Sequence, residues 1–366
     1  MANNYELEIQ AQPSIYAPKQ RTLKIYFSEP EKGVDKQTGV ILLAAGYSGN
    51  ANSNVFKKMR NNFADEYNAL VVQCDYFGYQ FMQDDYEVEI TQEELEKRLT
   101  PAEKELLFRN YDKYKHLLHG KIFEQKIELG ESESDFNDMG LIQAMDNLRA
   151  LKVVLDIAKD NGYQLRSDRI YAYGFSHGAY LAYLCNALCP NLFRAIIDNS
   201  SYLVPRYLEK DRRFGVLSDG INVTQIFSYR AKDYVTDKEI YDLRKIYSQF
   251  ENKSRIICFA GEEDHMTSLE DKKAFLNKVE NSVVETVTKK RVDMSRFKNC
   301  EHGLGADFIE LFKYTYAAHI EPVEKQNLRK KCEPIEFSDM SLKTELYEYQ
   351  VSWESGIPVL YRIANA

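Results

Sequence analysis

The sequence predicts an α/β protein with a mostly parallel central sheet, helices on both faces and two helical insertions. A strand–helix–strand unit spans residues 39–79, and parallel neighbouring strands need such a crossover. Strand and helix patterns then alternate as far as His319, which is typical of a sheet with both faces covered. Two charged stretches, at about residues 80–133 and 202–253, are too long for ordinary connections and are therefore assigned as insertions.

The chain starts with two stretches of alternating apolar and polar residues, "YELEIQ" and "RTLKIYF", which indicate antiparallel strands. The continuous apolar run "GVILLAAGYSGN" predicts a buried strand that ends in a glycine-rich turn. "NALVVQCDYFGY" repeats this form after the helix-like stretch "SNVFKKMRNNFADEY". The first insertion follows, and its segment "TQEELEKRLTPAEKELLFRNYDKYKHLLHG" has helical spacing.

After the first insertion, a long helix is predicted from about Asp135 to Lys159. The strand "DRIYAYG", the helix "AYLAYLCNALC" and the strand "FRAIIDNSS" lead into the second insertion. "SRIICFAGEEDH" and "SVVETVTKKRV" predict two further strands, with the helical "SLEDKKAFLNKVE" between them. A last core helix is expected from Ala306 to about His319.

The segment beyond Pro322 differs from this alternation. "TELYEYQVSW" and "IPVLYRI", joined by a Glu-Ser-Gly turn, predict a terminal β-hairpin at about residues 340–366, with the N-terminal strands as its candidate partners. No linker-like segment interrupts the core alternation. The sequence therefore predicts a single domain over residues 1–366, with its core at about residues 20–320.

Composition and charge argue against several classes of function. The net charge of -8, with Lys and Arg interspersed among acids, argues against a nucleic-acid partner. The N-terminus "MANNYELEIQ" lacks the basic and apolar regions of a signal peptide, and no apolar run is long enough to span a bilayer. We therefore expect a cytoplasmic protein without a membrane partner. The sequence predicts no particular oligomeric state.

The cysteines are scattered through apolar surroundings, without the even spacing of a disulfide framework. We expect reduced, buried thiols rather than disulfides or metal ligands. No metal and no organic cofactor is expected. The six cysteines are Cys74, Cys185, Cys189, Cys258, Cys300 and Cys332.

The segment "RIYAYGFSHGAYLAYLCNALC" places Ser176 between a predicted strand and a predicted helix. It carries the pentapeptide Gly-x-Ser-x-Gly, with Gly174 and Gly178 at positions where side chains would obstruct the close approach of strand and helix. A serine hydroxyl is a poor nucleophile and needs a base, an acid that orients the base, and donors for an oxyanion. Ser176 is the candidate nucleophile, and the alternative is a structural turn in a protein without chemistry.

From about residue 39 to residue 319 the chain resembles the α/β-hydrolase superfamily, with the Gly-x-Ser-x-Gly motif intact. In that family the acid and then the histidine follow the serine, each in or near a loop after a strand. The resemblance implies Asp264 in "IICFAGEEDH" as the acid and His302 in "NCEHGLG" as the base. Because the register of the acid loop is open by a residue or two, the competing acids are Glu262, Glu263 and Asp198.

The resemblance also implies an oxyanion hole made of two backbone amides. His177 supplies one amide and its side chain is expected to border the pocket, while Tyr47 supplies the other, with Ser48 as the next choice. The loop has Ala45-Gly46 where many esterases and lipases carry His-Gly, so no named esterase group is implied. "GYSGNANSN", "CDYFGYQFM" and "YGFSHG" are similar to a bacterial hydrolase-like family encoded among flagellin-glycan genes.

These features predict a serine hydrolase that cleaves an ester through an acyl-enzyme. An acyltransferase acting on a sugar hydroxyl, a peptidase and a non-catalytic binding protein of the same fold are the alternatives. The second insertion mixes tyrosines with arginines, which suit stacking on sugars and pairing with anions but are equally typical of solvated helix faces. The expected partner is a small-molecule or glycan ester, and its candidate contacts are Ser48, Tyr202 and Arg206.

Overall fold

Strands and helices alternate along most of the chain in a computed structural model that describes residues 1–17, 19–327, 335 and 337–365. The strands are β1 (Asn3–Gln10), β2 (Thr22–Glu29), β3 (Gly39–Ala44), β4 (Ala69–Cys74), β5 (Ile122–Ile127), β6 (Ile170–Phe175), β7 (Ala195–Asn199), β8 (Arg212–Ser218), β9 (Ile221–Phe227), β10 (Arg255–Gly261), β11 (Ser282–Val287), β12 (Met340–Lys343), β13 (Tyr347–Ser352) and β14 (Val359–Ala364). The α-helices are α1 (Asn54–Tyr67), α2 (Gln92–Arg98), α3 (Pro101–Arg109), α4 (Tyr111–Tyr114), α5 (Leu141–Asp160), α6 (His177–Leu188), α7 (Ala231–Tyr234), α8 (Leu243–Ile246), α9 (Leu269–Leu276), α10 (Phe308–Thr315) and α11 (Glu321–Asn327).

The central sheet has the strand order β1-β2-β4-β3-β6-β7-β10-β11. β1, β2 and β4 pair antiparallel, and the remaining neighbours from β4 to β11 pair parallel. The predicted α/β fold class with a mostly parallel sheet is confirmed. Because the carboxyl ends of parallel strands lie at one edge, the loops after β3, β6, β7 and β10 meet there.

Helices cover both faces of this sheet, and alternate residues of β3 show how the two cores are divided. Val40 and Leu42 belong to the larger core, which also contains the buried residues of α5 and α6. Ile41 belongs to the smaller core on the opposite face, where Phe63 of α1 stacks on Phe312 of α10 at 4.4 Å between ring centroids. The central strands are therefore apolar on both sides, as the continuous apolar runs predict.

The insertions are not purely helical, in contrast to the prediction. β5 of the first insertion pairs parallel with β9 of the second, and β8 pairs antiparallel with β9. We call these three strands the insertion sheet. The β8–β9 hairpin closes through Asp219 and Gly220, both with positive φ (49° and 80°), and this two-residue Asp-Gly turn favours a hairpin over a helix.

The helix predicted from Asp135 begins later, at Leu141. The Asp138 carboxylate accepts the backbone N–H groups of Gly140 (3.3 Å) and Ile142 (2.8 Å), and Met139 has a positive φ of 64°. Asp138 therefore ends the irregular segment and satisfies the first free donors of α5, so the helix does not extend further toward the N-terminus.

The C-terminal tail forms an antiparallel sheet of β12, β13 and β14 rather than a two-stranded hairpin. Its expected pairing with the N-terminal strands is wrong, because β1 pairs with β2 and the tail strands pair with one another. Side-chain contacts still connect the two ends of the chain, and the Arg362 guanidinium lies 5.4 Å from the centroid of the Tyr16 ring. Gln12 exchanges two hydrogen bonds with the backbone of Leu360, at 3.1 and 3.2 Å.

The described cysteines are buried free thiols, and Cys332 lies outside the described residues, as does Ala366 at the end of the predicted hairpin. Among the helices in the described ranges, none combines the length and the apolar character needed to cross a bilayer.

Candidate active site

Ser176 occupies the sharp turn between β6 and α6. Its φ of 52° and ψ of -115° are a strained combination that residues other than glycine rarely adopt. The Ser176 N–H donates to the Asn199 carbonyl at the end of β7 (2.8 Å), which holds the turn in place. A β-carbon on Gly178 would come within 2.0 Å of the Ala44 oxygen, and one on Gly174 within 2.3 Å of backbone atoms, so only glycine fits at both positions.

The side chains of Ser176, His302 and Asp264 form a continuous hydrogen-bonded series. Ser176 Oγ lies 2.7 Å from His302 Nε2, and His302 Nδ1 lies 3.1 and 3.0 Å from the two oxygens of Asp264. The side chains of His302 and Asp264 are only 15% and 4% exposed. With the Nδ1–H donated to the carboxylate, Nε2 is left to accept the serine hydroxyl proton.

Asp264 follows β10 and is fixed in its loop by backbone donors. Its Oδ1 accepts the N–H groups of Met266 (2.7 Å) and Thr267 (3.3 Å). Burial raises the pKa of this carboxyl, but the hydrogen bonds from His302 and from the backbone outweigh it and hold the pKa below its usual value. Asp264 is therefore ionised at neutral pH and can orient an imidazole.

The loop that carries His302 packs directly against the acid loop. The Glu263 N–H donates to the Cys300 carbonyl (2.9 Å), and a β-carbon on Gly261 would come within 2.1 Å of that same carbonyl oxygen. Glycine at the end of β10 therefore allows the two loops to approach closely.

The three competing acids have other partners. Glu263 forms an ion pair with Lys289, and Glu262 accepts the Lys289 backbone N–H (2.6 Å). Asp198 is fully buried and pairs with Lys272 (3.3 Å). In the part of the chain that the structure describes, none of these three carboxylates bonds to the imidazole of the series.

The loop after β3 brings Tyr47 next to His177, with their rings 5.4 Å apart. A β-carbon on Gly46 would lie 3.6 Å from the His177 nitrogen, so the loop backbone reaches the start of α6. Within the described residues, neither the Tyr47 nor the His177 amide donates to another protein group. The Ser48 amide, in contrast, donates to the Met82 carbonyl (2.8 Å).

The sequence predicts that the His177 side chain borders the pocket, but in the structure this side chain is fully enclosed. Its Nε2 lies 2.5 Å from Gln143 Oε1, and its Nδ1 bonds to the Tyr202 hydroxyl. An amide oxygen can only accept, so Nε2 carries the proton and Nδ1 accepts from Tyr202. Burial lowers the pKa of His177 to about 3, which is consistent with a neutral ring.

The candidate substrate contacts are placed differently from one another. Tyr202 is only 3% exposed and its hydroxyl is engaged by His177, so it forms a buried support and not an open stacking surface. Ser48 is exposed. Arg206 is half-buried, and its Nη1 lies 3.3 Å from the Sδ of Met266, two residues beyond the acid.

Aromatic side chains of the second insertion surround the ring of Tyr47. The rings of Tyr207 and Tyr229 lie 5.4 and 6.0 Å from it, both edge-on. The Arg212 guanidinium lies 4.9 Å from the same ring centroid and forms an ion pair with Asp84 of the first insertion. The insertions therefore form an aromatic and charged wall beside the loop after β3.

Sequence reasoning missed two fully buried amides, Gln143 and Asn137. Gln143 bonds to both His177 and Asn137, and Asn137 donates to the Tyr47 hydroxyl (3.1 Å). Both lie in "FNDMGLIQAMDN", where amides occur among apolar residues at the start of a buried helix. A buried amide in such a segment needs partners, and that requirement was the available signal.

The structure is similar to solved α/β hydrolases. The peroxisomal α/β-hydrolase Lpx1 from Saccharomyces cerevisiae is 10% identical, with a TM-score of 0.50 and 92% of each chain covered. An acylaminoacyl peptidase from Pyrococcus horikoshii is 13% identical, with a TM-score of 0.49, 92% of this chain and 43% of the peptidase covered. Est1E from Butyrivibrio proteoclasticus is 13% identical, with a TM-score of 0.45 and coverages of 84% and 96%.

A model of the prolyl oligopeptidase family matches residues 147–317, the range that contains Ser176, Asp264 and His302. Fold and sequence together define a member of the α/β-hydrolase superfamily of serine hydrolases. Within it, the chain belongs to the family described as a protein of unknown function (DUF2920), whose model matches residues 5–210. No curated protein sequence matches the chain. The resemblance to a flagellin-glycan family stays a prediction.

Proposed function

We propose that this serine hydrolase cleaves an ester in two steps through an acyl-enzyme. The observation that carries the proposal is the Ser176–His302–Asp264 series at the strained turn between β6 and α6, which we call the elbow. Ser176 Oγ attacks the ester carbonyl while His302 Nε2 takes the proton of the serine hydroxyl. His302 then donates this proton to the leaving alcohol as the C–O bond breaks. In the second step water, deprotonated by His302, attacks the acyl-enzyme, and the carboxylic acid product is released as Ser176 regains its proton. Asp264 keeps His302 in the Nδ1–H tautomer and stabilises the imidazolium.

The backbone N–H groups of His177 and Tyr47 are proposed to hold the oxyanion in both steps. Both are free of other protein acceptors in the described residues, and they belong to adjoining segments of the elbow and the loop after β3. The His177 amide also begins α6, so the positive end of the helix dipole adds to the stabilisation of a developing negative charge.

The acyl group is proposed to be short and the alcohol polar, as in a glycan ester. The wall beside Tyr47 carries phenol rings and the Arg212 guanidinium, whereas a lipase lid presents a broad apolar face. Arg206 lies beside the acid loop and has no carboxylate partner among the described residues. Such a cation suits an anionic group on the alcohol.

The first test is labelling of the wild-type protein by a fluorophosphonate probe, followed by a series of aryl esters from acetate to decanoate. We expect stoichiometric labelling and a kcat/KM that falls steeply beyond about six acyl carbons, because a longer acyl chain would extend past the apolar surface of the pocket. A preference for long-chain esters, or activation at an oil interface, would contradict the short-acyl proposal. A protein that is neither labelled nor active on any ester would favour a non-catalytic role.

The proposed charge preference can be tested at Arg206. Acetate esters of a neutral and of an anionic alcohol are compared in wild type, Arg206→Met and Arg230→Met; Arg230 belongs to the same insertion but contacts Asp233. Arg206→Met should reduce the preference for the anionic ester about tenfold, the value of one charge-assisted hydrogen bond. Arg230→Met should leave it unchanged. An equal loss on both esters would show that Arg206 supports the fold and does not recognise charge.

Peptide-bond cleavage is the second candidate, because the match to the prolyl oligopeptidase family includes all three members of the catalytic triad, Ser176, Asp264 and His302. Aryl amides of acylated amino acids therefore belong in the same panel. Faster turnover of these amides than of any short ester would overturn the ester proposal while keeping the mechanism. Transfer of the acyl group to an added sugar, in preference to water, would identify an acyltransferase.

A further inference from the structure

Five side chains form one continuous hydrogen-bonded chain at the elbow, which we call the buried relay. Four of its members are buried and Tyr47 is half-buried. Its members, in order, are Tyr202, His177, Gln143, Asn137 and Tyr47. The relay connects, through side chains alone, the two residues whose backbone amides are proposed to hold the oxyanion.

The first links run from the second insertion into the core. The Tyr202 hydroxyl donates to His177 Nδ1, and His177 Nε2–H donates to Gln143 Oε1 (2.5 Å). Gln143 then donates from Nε2 to the Phe77 carbonyl (2.9 Å) as well as along the relay. A neutral His177 with its proton on Nε2 is the form that satisfies both of its partners.

The remaining links run to the loop after β3. Gln143 Nε2–H donates to Asn137 Oδ1 (2.8 Å), Asn137 Nδ2–H donates to the Tyr47 hydroxyl (3.1 Å), and that hydroxyl donates to Met139 Sδ (3.1 Å). Each member donates a hydrogen bond to the next one, in the direction from Tyr202 to Tyr47. Rotating the ring or amide group of any of the three middle members by half a turn would therefore leave a buried polar group unpaired.

Outside the relay, the Tyr47 ring packs edge-on against Tyr207 and Tyr229, and backbone anchors lie on either side of the residue. On one side of it the Ala45 carbonyl accepts from the Tyr76 hydroxyl (2.8 Å), and on the other side the Ser48 amide donates to Met82 (2.8 Å). Tyr47 itself makes no backbone hydrogen bond within the described residues. Among the described residues, hydrogen bonds therefore reach Tyr47 itself only through its side-chain hydroxyl, at the end of the relay.

We propose that the buried relay sets the separation of the Tyr47 and His177 amides, which makes Gln143 and Asn137 positioning residues for the oxyanion hole. This inference rests on the proposed ester hydrolysis. Donors to an oxyanion act through their placement before the reaction, and a displacement of about 1 Å can cost about 100-fold in rate. Gln143 and Asn137, at the centre of the relay, provide that placement without a hydrogen bond, in the described part of the chain, to Ser176, His302 or Asp264.

The test compares two breaks in the relay with a matched control. Gln143→Met keeps the length of the side chain and removes its hydrogen bonds, and Tyr47→Phe removes one hydroxyl but leaves the amide. Gln225→Met is the control, because Gln225 is equally buried but bonds within the insertion region, to Tyr86 and Gln125. For each variant, kcat and KM on a neutral acetate ester, the Kd of a boronic acid that forms a tetrahedral adduct with serine, and the melting temperature are measured.

Both breaks should lower kcat by about tenfold or more, with KM within about threefold, and weaken boronate binding by a similar factor. The double variant should be less impaired than the product of the two single effects, because both break one relay. Gln225→Met should change only the melting temperature. If Gln143→Met does not fold, Tyr47→Phe, which removes a single hydroxyl from a half-buried residue, decides the question alone.

Unchanged kcat and boronate affinity in the folded Tyr47→Phe variant would overturn the inference. A loss of activity that is fully explained by a smaller folded fraction would also overturn it and assign the relay to stability. In both cases the wild-type protein still turns over the ester, so the proposed function stands. A wild type that shows neither labelling nor turnover would instead overturn the proposed function.

Discussion

The two sides of the candidate active site differ in how their side chains are held. On the core side, Ser176, Asp264 and His302 lie in segments that follow parallel strands of the central sheet. Backbone hydrogen bonds fix the turns that carry them. On the insertion side, the insertion sheet joins the two insertions, but the side chains that reach the site are held by side-chain pairs, such as Arg212 with Asp84. The comparison indicates that substitutions on the core side act on the chemical step, whereas those on the insertion side act on stability and substrate fit.

The strongest test of the core side is Ser176→Ala. We expect turnover to fall by about a million-fold, to background, because the attacking oxygen is lost and the other two members act only as a unit with it. Fluorophosphonate labelling should disappear, and the melting temperature should stay near that of wild type, because the change removes one oxygen. Labelling that survives in the variant would show that another residue is the nucleophile.

The next largest effect is expected for Asp264→Asn, which should lower kcat about 10⁴-fold with little change in KM, because an amide favours the wrong tautomer of His302. Glu263→Gln is the matched control, since Glu263 lies one residue away but pairs with Lys289. Steady-state kinetics of both variants on one short ester decide between the acids. A silent Asp264→Asn together with an inactive Glu263→Gln would reverse the assignment.

The same division separates what the sequence predicted from what it did not. The meeting of Ser176, Asp264 and His302 was predictable because the resemblance to α/β hydrolases implies the order serine, acid, histidine, and the parallel topology brings the ends of the preceding strands together. The sites of the insertion region depend on pairs such as Arg212 with Asp84, 128 positions apart, which no local periodicity encodes.

Within the insertion region, one error had a readable cause. The prediction of helical insertions overlooks the Asp-Gly pair that stands between β8 and β9, and that dipeptide favours a two-residue turn. The placement of Tyr202 was a different kind of error. Its ring is buried and its hydroxyl pairs with His177, and both depend on tertiary contacts that a tyrosine in a polar segment does not reveal.

Neighbouring arginines on β8 test the insertion side. Arg212 is buried and forms an ion pair with Asp84, whereas Arg213 is 53% exposed and pairs with Glu124. Arg212→Met should lower the free energy of unfolding by about 3 kcal/mol, because it leaves the Asp84 carboxylate, whose side chain is only 14% exposed, without its partner. Arg213→Met should cost less than about 1 kcal/mol, because water already solvates both partners. Urea unfolding measures both.

The values of kcat and KM of these two variants can be compared with those of Asp264→Asn, for which kcat should fall with little change in KM. Under conditions where it remains folded, Arg212→Met should change KM more than kcat, since the guanidinium lies over the ring of Tyr47 and shapes the wall but not the triad. A loss of kcat without a loss of stability would contradict the division and extend the catalytic machinery into the insertions.

The last prediction concerns the pH dependence of stability at His177, which stands between the two sides. Burial lowers its pKa to about 3 in the folded protein, from the ordinary value of 6.5. Between these pH values the unfolded state binds one proton more than the folded state. The contribution of His177 to stability is therefore complete above pH 6.5 and decreases by about 1.4 kcal/mol per pH unit as the pH falls toward 3.

Urea unfolding of wild type and His177→Gln between pH 4 and about 6.5 isolates this contribution, because other titrating groups are common to both proteins. The variant should be less stable than wild type at neutral pH, since the buried relay is broken, and its stability should depend less steeply on pH. His116→Gln, which removes an exposed imidazole, should keep the wild-type pH dependence. Equal slopes in wild type and His177→Gln would show that His177 gains a proton inside the fold. The relay would then need a different pattern of donors, with the Tyr202 hydroxyl as an acceptor.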